Sequence, residues 1–99
     1  MIIQIWSYEA VEGKVAEAME VSKKLAVAHT KNGIPTRILR RGTGTAAELN
    51  KIVMMMEFES LAASEAYTDK GKEVDSLHKE ARKYYVWDSL AHQYYKVAE

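Results

Sequence analysis

Lys51-Ile52-Val53-Met54-Met55-Met56-Glu57-Phe58 carries apolar side chains at both odd and even positions. Successive side chains of a strand point to opposite faces of a sheet, so this run predicts a strand covered on both faces, in the middle of a sheet. Ile2-Ile3-Gln4-Ile5-Trp6-Ser7-Tyr8 reads the same way. Two other runs alternate with polar residues. Over 36–41, Thr36, Ile38 and Arg40 share one face and Arg37, Leu39 and Arg41 the other; 89–97 alternates again. Those two strands are expected at the sheet edges.

Helices separate the strands. After Gly13, residues Val15, Ala18, Met19, Ser22, Leu25, Ala26 and His29 recur at helical spacing and form one stripe. Asn32-Gly33 supplies a left-handed C-terminal cap, and Pro35 forbids continuation. Gly42-Thr43-Gly44-Thr45 reads as a loop that Ala46 and the residues to Asn50 extend. Ser60 suits the N-cap of a second helical region bearing Ala63, Ala66, Tyr67, Val74, Leu77, His78 and Ala81, which Gly71 divides in two. The order is β-α-β-β-α-β, the split βαβ unit of a ferredoxin-like α+β fold, with a four-stranded antiparallel sheet and one domain over residues 1–99. Helices cover one face of such a sheet. The other is expected to carry Gln4, Trp6, Tyr8, Val53, Met55 and Glu57, too apolar to face water. A second copy related by two-fold symmetry would cover it, so a homodimer is expected.

Composition narrows the function classes. Fourteen basic and 14 acidic side chains leave zero net charge, and no basic excess points to nucleic acid or an anionic membrane. Absence of cysteine excludes disulfides, thiolate metal sites and a thiol nucleophile. The start, Met1-Ile2-Ile3-Gln4, has no basic leader, and no apolar run approaches the ~20 residues of a membrane span. A cytoplasmic protein is expected. Of its 99 residues 47% are apolar, with two Trp and six Tyr, much surface for a short chain to hide alone.

Two stretches resemble the NIPSNAP-type domains of the dimeric α/β barrel superfamily, which includes antibiotic biosynthesis monooxygenases. Trp6-Ser7-Tyr8-Glu9-Ala10-Val11-Glu12-Gly13 matches that family's Arg-Thr-Tyr, four residues, Gly pattern at Tyr8 and Gly13. Leu49-Asn50-Lys51-Ile52-Val53, running on to Phe58-Glu59-Ser60-Leu61-Ala62, resembles its Leu-Asn strand ending in Tyr-Glu-Ser-Leu-Ala. The resemblance implies a dimeric barrel with a small-molecule pocket. The family's strand-three His and Trp are Met54 and Met56 here, and its strand-one Arg is Trp6. The Asn, Trp and His set of related haem degraders is also missing: Ser7 stands at the strand-one place and no Trp precedes His78 in the second helical region, so haem chemistry is not expected.

The chain has three histidines. His29, in the last turn of the first helix, reads as a cation placed against the helix dipole. His78 reads either as a core residue or as a base, and His92 points either into the barrel, towards Tyr94 and Glu57, or to solvent. No pair has helical metal-ligand spacing, so no metal is expected, and no cofactor. The aromatic residues, among them Trp6, Tyr8, Tyr67 and Tyr94, form either core and interface or a sandwich for a planar ligand. Arg37, Arg40 and Arg41 either bind an anion or protect the edge strand from unwanted pairing.

Two functions follow. One is a cofactor-independent monooxygenase or isomerase acting on a small aromatic, quinol-like compound: His92 or His78 is the base, Tyr94 and Tyr8 donate hydrogen bonds, Trp6 is the stacking wall, and Gln4, Glu57 and Tyr67 complete the ligand-binding candidates. The alternative is a non-catalytic ligand-binding or assembly module, suggested by methionine at the family's polar strand-three positions.

Overall fold

A computed structural model of the chain describes residues 1–40, 42–45, 49–67 and 72–98. Its elements are β1 (Ile2–Glu9), α1 (Val15–Lys31), β2 (Thr36–Arg40), β3 (Lys51–Phe58), α2 (Leu61–Ala66), α3 (Lys72–Ala81), a 3-10 turn (Trp87–Ser89) and β4 (Ala91–Lys96). The sheet order is β2-β3-β1-β4 and every neighbouring pair is antiparallel. The doubly apolar runs are the central strands and the alternating runs are the edges. This is the ferredoxin-like α+β arrangement. The 3-10 turn at Trp87–Ser89 delays β4 to Ala91, two residues later than its alternation suggests. Arg41, Ala46 and Gly71, read as a strand end, a loop residue and a helix break, lie outside the described residues.

Local chemistry sets the helix ends. Gly33 has φ +90°, a conformation that a Cβ disfavours. With it in place, Gly33 N–H donates to the Thr30 carbonyl and Ile34 N–H to the His29 carbonyl, which satisfies the last turn of α1. At α2, Ser60 Oγ accepts from Ala63 N–H at 3.0 Å, and its extended backbone marks the helix start.

The register decides which side chains meet the helices. Gln4 stands opposite Met56, Trp6 opposite Met54 and Tyr8 opposite Ile52, and residues directly opposite in an antiparallel pair share a face. Met54, Met56 and Phe58 are buried with Val21, Leu25 and Ala28 of α1 and Val74 and Ala81 of α3, and Ile52 with Tyr8 and with Ala18 of α1. Burying a side chain such as Leu25 or Ile52 completely stabilises by about 1.5–3 kcal/mol. The open face carries Ile3, Ile5 and Ser7 of β1 with Val53, Met55 and Glu57 of β3. This corrects the expected phase of β1: Gln4, Trp6 and Tyr8 face the helices, and only Val53, Met55 and Glu57 lie where expected. Ile3 and Ile5 make the opposite phase as apolar as Trp6 and Tyr8 do, so alternation in β1 could not choose between them.

Candidate functional site

Between the sheet and the helices lies a cavity of about 360 Å³. Its floor is Gln4, Trp6 and Tyr8 from β1 with Met54 and Met56 from β3. Helix α1 contributes Leu25 and His29, α2 Ser64, and α3 His78; Tyr67 follows α2. The segment leading into β4 supplies Arg82, Tyr85, Trp87 and Leu90. Volumes of roughly 300–1,000 Å³ are usual for small-molecule sites, so this one suits a compact ligand.

One part of the wall is polar. His29 is 2% exposed, and its Nδ1 lies 2.6 Å from the Tyr67 hydroxyl. Asn32 Nδ2 donates to that hydroxyl at 3.3 Å, while the direction of the His29–Tyr67 bond depends on the imidazole tautomer. The Tyr67 ring meets His29 edge-on at 5.7 Å and Phe58 at 5.8 Å. The His78 ring centre is 6.1 Å from that of His29. Ser64 Oγ is buried with no hydrogen-bond partner among the described residues.

The opposite part of the wall is spoken for internally. Ser22 spends its single hydroxyl proton on the Ala18 carbonyl at 2.7 Å, so Tyr8, which touches the same oxygen, donates to it. Tyr85 donates to Tyr8 at 3.1 Å, and their rings stack at 3.9 Å. A chain of hydroxyls therefore runs Tyr85, Tyr8, Ser22, Ala18. Burial pushes the Tyr8 phenol far above the ordinary tyrosine range, and neighbouring Tyr85 adds to the effect. Burial raises Tyr85 as well. Both phenols stay neutral, and the Tyr8 hydroxyl, expected as a donor to a ligand, bonds here to Ser22 and Tyr85.

The remaining candidates separate. His92 faces Trp6 across the β1–β4 ladder, and the rings stack at 3.8 Å with 11° between planes. Its Nε2 lies 2.5 Å from Gln4 Nε2, and Tyr94 meets its ring edge-on at 4.6 Å. Partial desolvation there lowers the His92 pKa below the ordinary value. Yet His92 and Tyr94 are exposed on the edge strand and do not line the cavity. Glu57 pairs with Ile3 on the open face, on the other side of the sheet from His92. The fold thus brings Gln4, Trp6, Tyr8, Tyr67 and His78 together, places His92 and Tyr94 behind Trp6, and separates Glu57 from all of them.

His29 occupies the last turn of α1, where the helix dipole favours a cation. It is also buried on the cavity wall. Its place on the stripe Ser22, Leu25, Ala26, His29 was the available signal, because a residue on the apolar face of a helix points inward. Arg82 and Ser64 carried no comparable signal. No group of three or more His, Cys, Asp or Glu side chains among the described residues is placed to hold a metal ion. No helix among them is long and apolar enough to cross a membrane.

Comparison with solved structures gives the same architecture. An uncharacterised NIPSNAP domain protein from Burkholderia xenovorans superposes with a TM-score of 0.79 at 15% identity, covering 99% of this chain and 95% of that one. A protein assigned to the antibiotic biosynthesis monooxygenases from Caulobacter crescentus gives 0.77 at 15% identity, covering 99% and 90%. An antibiotic biosynthesis monooxygenase gives 0.74 at 8% identity over the whole of both chains. At these identities the likeness is one of fold, and it agrees with the resemblance read from the sequence. No family model and no curated protein matches the chain.

Proposed function

We propose that the chain binds a small planar aromatic compound of quinol type in the cavity between sheet and helices, and removes a proton from it without a cofactor. The observation that carries this reading is the meeting of His29, His78 and Tyr67 on the wall of a mainly apolar and aromatic cavity. Trp6, Tyr85 and the two methionines offer flat, polarisable surface to a ring. The imidazole groups supply a base, and Tyr67 supplies a hydroxyl beside it. A deprotonated quinol is electron-rich enough to reduce oxygen directly, and a dry pocket protects the resulting species from water. His78 remains the base named from the sequence; His29 joins it, and His92 serves instead to hold Trp6.

The open sheet face supports a homodimer. Ile3, Ile5, Val53, Met55, Leu39 and Tyr95 lie on that side, with Leu39 and Tyr95 exposed in a single copy. A contiguous apolar surface of this kind is stable in water when a partner covers it.

Oxygen uptake by the pure protein with a panel of quinols and anthrones tests the catalytic reading. Turnover that falls at least tenfold in His78→Ala and His29→Ala supports it. Calorimetric binding without uptake leaves the non-catalytic ligand-binding module, a reading to which the hydrocarbon and thioether wall of Met54 and Met56 lends weight. Neither binding nor uptake by any of the panel rejects both.

A further inference from the structure

We propose that the ligand carries a carboxylate, and that Arg82 receives it; this rests on the cavity being a ligand site. Among the described residues fourteen line the cavity, and of these Arg82 is the one with a permanent charge. No Asp or Glu among the described residues is on that wall. Nor does any carboxylate among the described residues lie within ion-pair distance of the Arg82 guanidinium. Its neighbour is instead Trp87, whose ring centre is 5.7 Å from Cζ. A cation–π contact of this kind occupies none of the guanidinium N–H donors. Five donors in a planar fork match a carboxylate with two parallel hydrogen bonds.

The position of the fork matters as much as its charge. Arg82 N–H donates to the His78 carbonyl, so the helical turn continues past Ala81 and the two side chains stand four residues apart on one face. One turn rises about 5.4 Å. A carboxylate held by Arg82 therefore has its ring directed along the wall that carries His78. Trp87, 63% exposed, and exposed Leu90 put this end of the cavity at the solvent boundary. A charged group can keep part of its hydration there while the ring enters the apolar interior. A single fork among aromatic and methionine side chains fits one carboxylate on a ring system better than a doubly charged phosphate ester. The substrate class is thus narrowed from quinol-like compounds in general to those that carry a carboxylate on the ring system.

Isothermal titration calorimetry with 2-naphthoate and 2-naphthol, an anion and a neutral molecule of the same ring size at neutral pH, tests this on the whole protein. The expected result is naphthoate binding about tenfold more tightly than naphthol, equivalent to about 1.4 kcal/mol. Arg82→Gln should erase that preference while leaving naphthol within about twofold, and Arg82→Lys should restore part of it because it keeps the charge but loses the fork. Lys83→Gln, which removes the same charge from an exposed neighbour outside the cavity lining, should leave the preference intact. Equal binding of the two probes, or a preference that survives Arg82→Gln, overturns the carboxylate assignment and leaves the cavity reading standing. Binding of neither probe overturns the cavity reading itself, and the carboxylate with it.

Discussion

Removing one hydroxyl from the buried chain at Tyr8 gives a prediction whose size follows from the geometry. Tyr8 is 3% exposed; it donates to Ser22 and accepts from Tyr85. In Tyr8→Phe the ring stack on Tyr85 survives. Tyr85 still finds Ser22 Oγ at 3.1 Å, and Ser22 still donates to Ala18. No polar group is stranded, so the loss is that of one net hydrogen bond, about 0.5–1.5 kcal/mol. Ser22→Ala is different, because it takes the acceptor away from a fully buried phenol. Its cost is about 1–3 kcal/mol, reduced by roughly 0.5 kcal/mol because alanine is the better helix former. In the double variant the hydroxyl that loses its partners is that of Tyr85, which is only half-buried and can turn to water, so this variant should be little worse than Ser22→Ala alone. A coupling of at least about 0.5 kcal/mol is expected between the two sites. Urea unfolding followed by circular dichroism at one fixed protein concentration measures all four chains, with unchanged denaturant slopes as the control. Strict additivity of the two changes, or a stabilised Tyr8→Phe, would refute the chain of donors.

Three further outcomes are expected. Met55→Lys, on the open face, should leave the circular dichroism spectrum intact and move the sedimenting species to a monomer; Met54→Lys, one residue away but 5% exposed beneath the helices, should unfold the chain. Gly33→Ala should lower stability by about 1 kcal/mol, or about 4–8 °C in Tm, through backbone strain alone, since a Cβ at Gly33, with φ +90°, meets no atom within 4 Å. His92 should titrate by NMR below the ordinary value of about 6.5. Its folded-state pKa is depressed, so the unfolded chain takes up the proton first, and the linked stability, full above about pH 6.5, should decline as pH falls through that value.

The elements of this protein are written in its local sequence. Strand and helix are set by side-chain periodicity over a few residues, by Gly33 and Pro35 after α1 and by Ser60 before α2, and none of these needs a distant partner. Doubly apolar runs in the centre of the sheet and alternating runs at its edges follow from the same local reading, so the topology was legible as well. Three matters belonged to the tertiary structure. The phase of β1 was open because both of its faces are apolar; the pairing with β3 chose Gln4, Trp6 and Tyr8 for the helix side. The polar wall joins His29 to Tyr67, 38 residues away, and no periodicity reports such a meeting. Arg82 looks like any exposed cation in the sequence, and becomes a candidate ligand contact only because the segment before β4 folds along the cavity. Local patterns fix which face of an element is apolar, whereas a site is made of contacts between elements, and those exist only once the sheet has chosen its register.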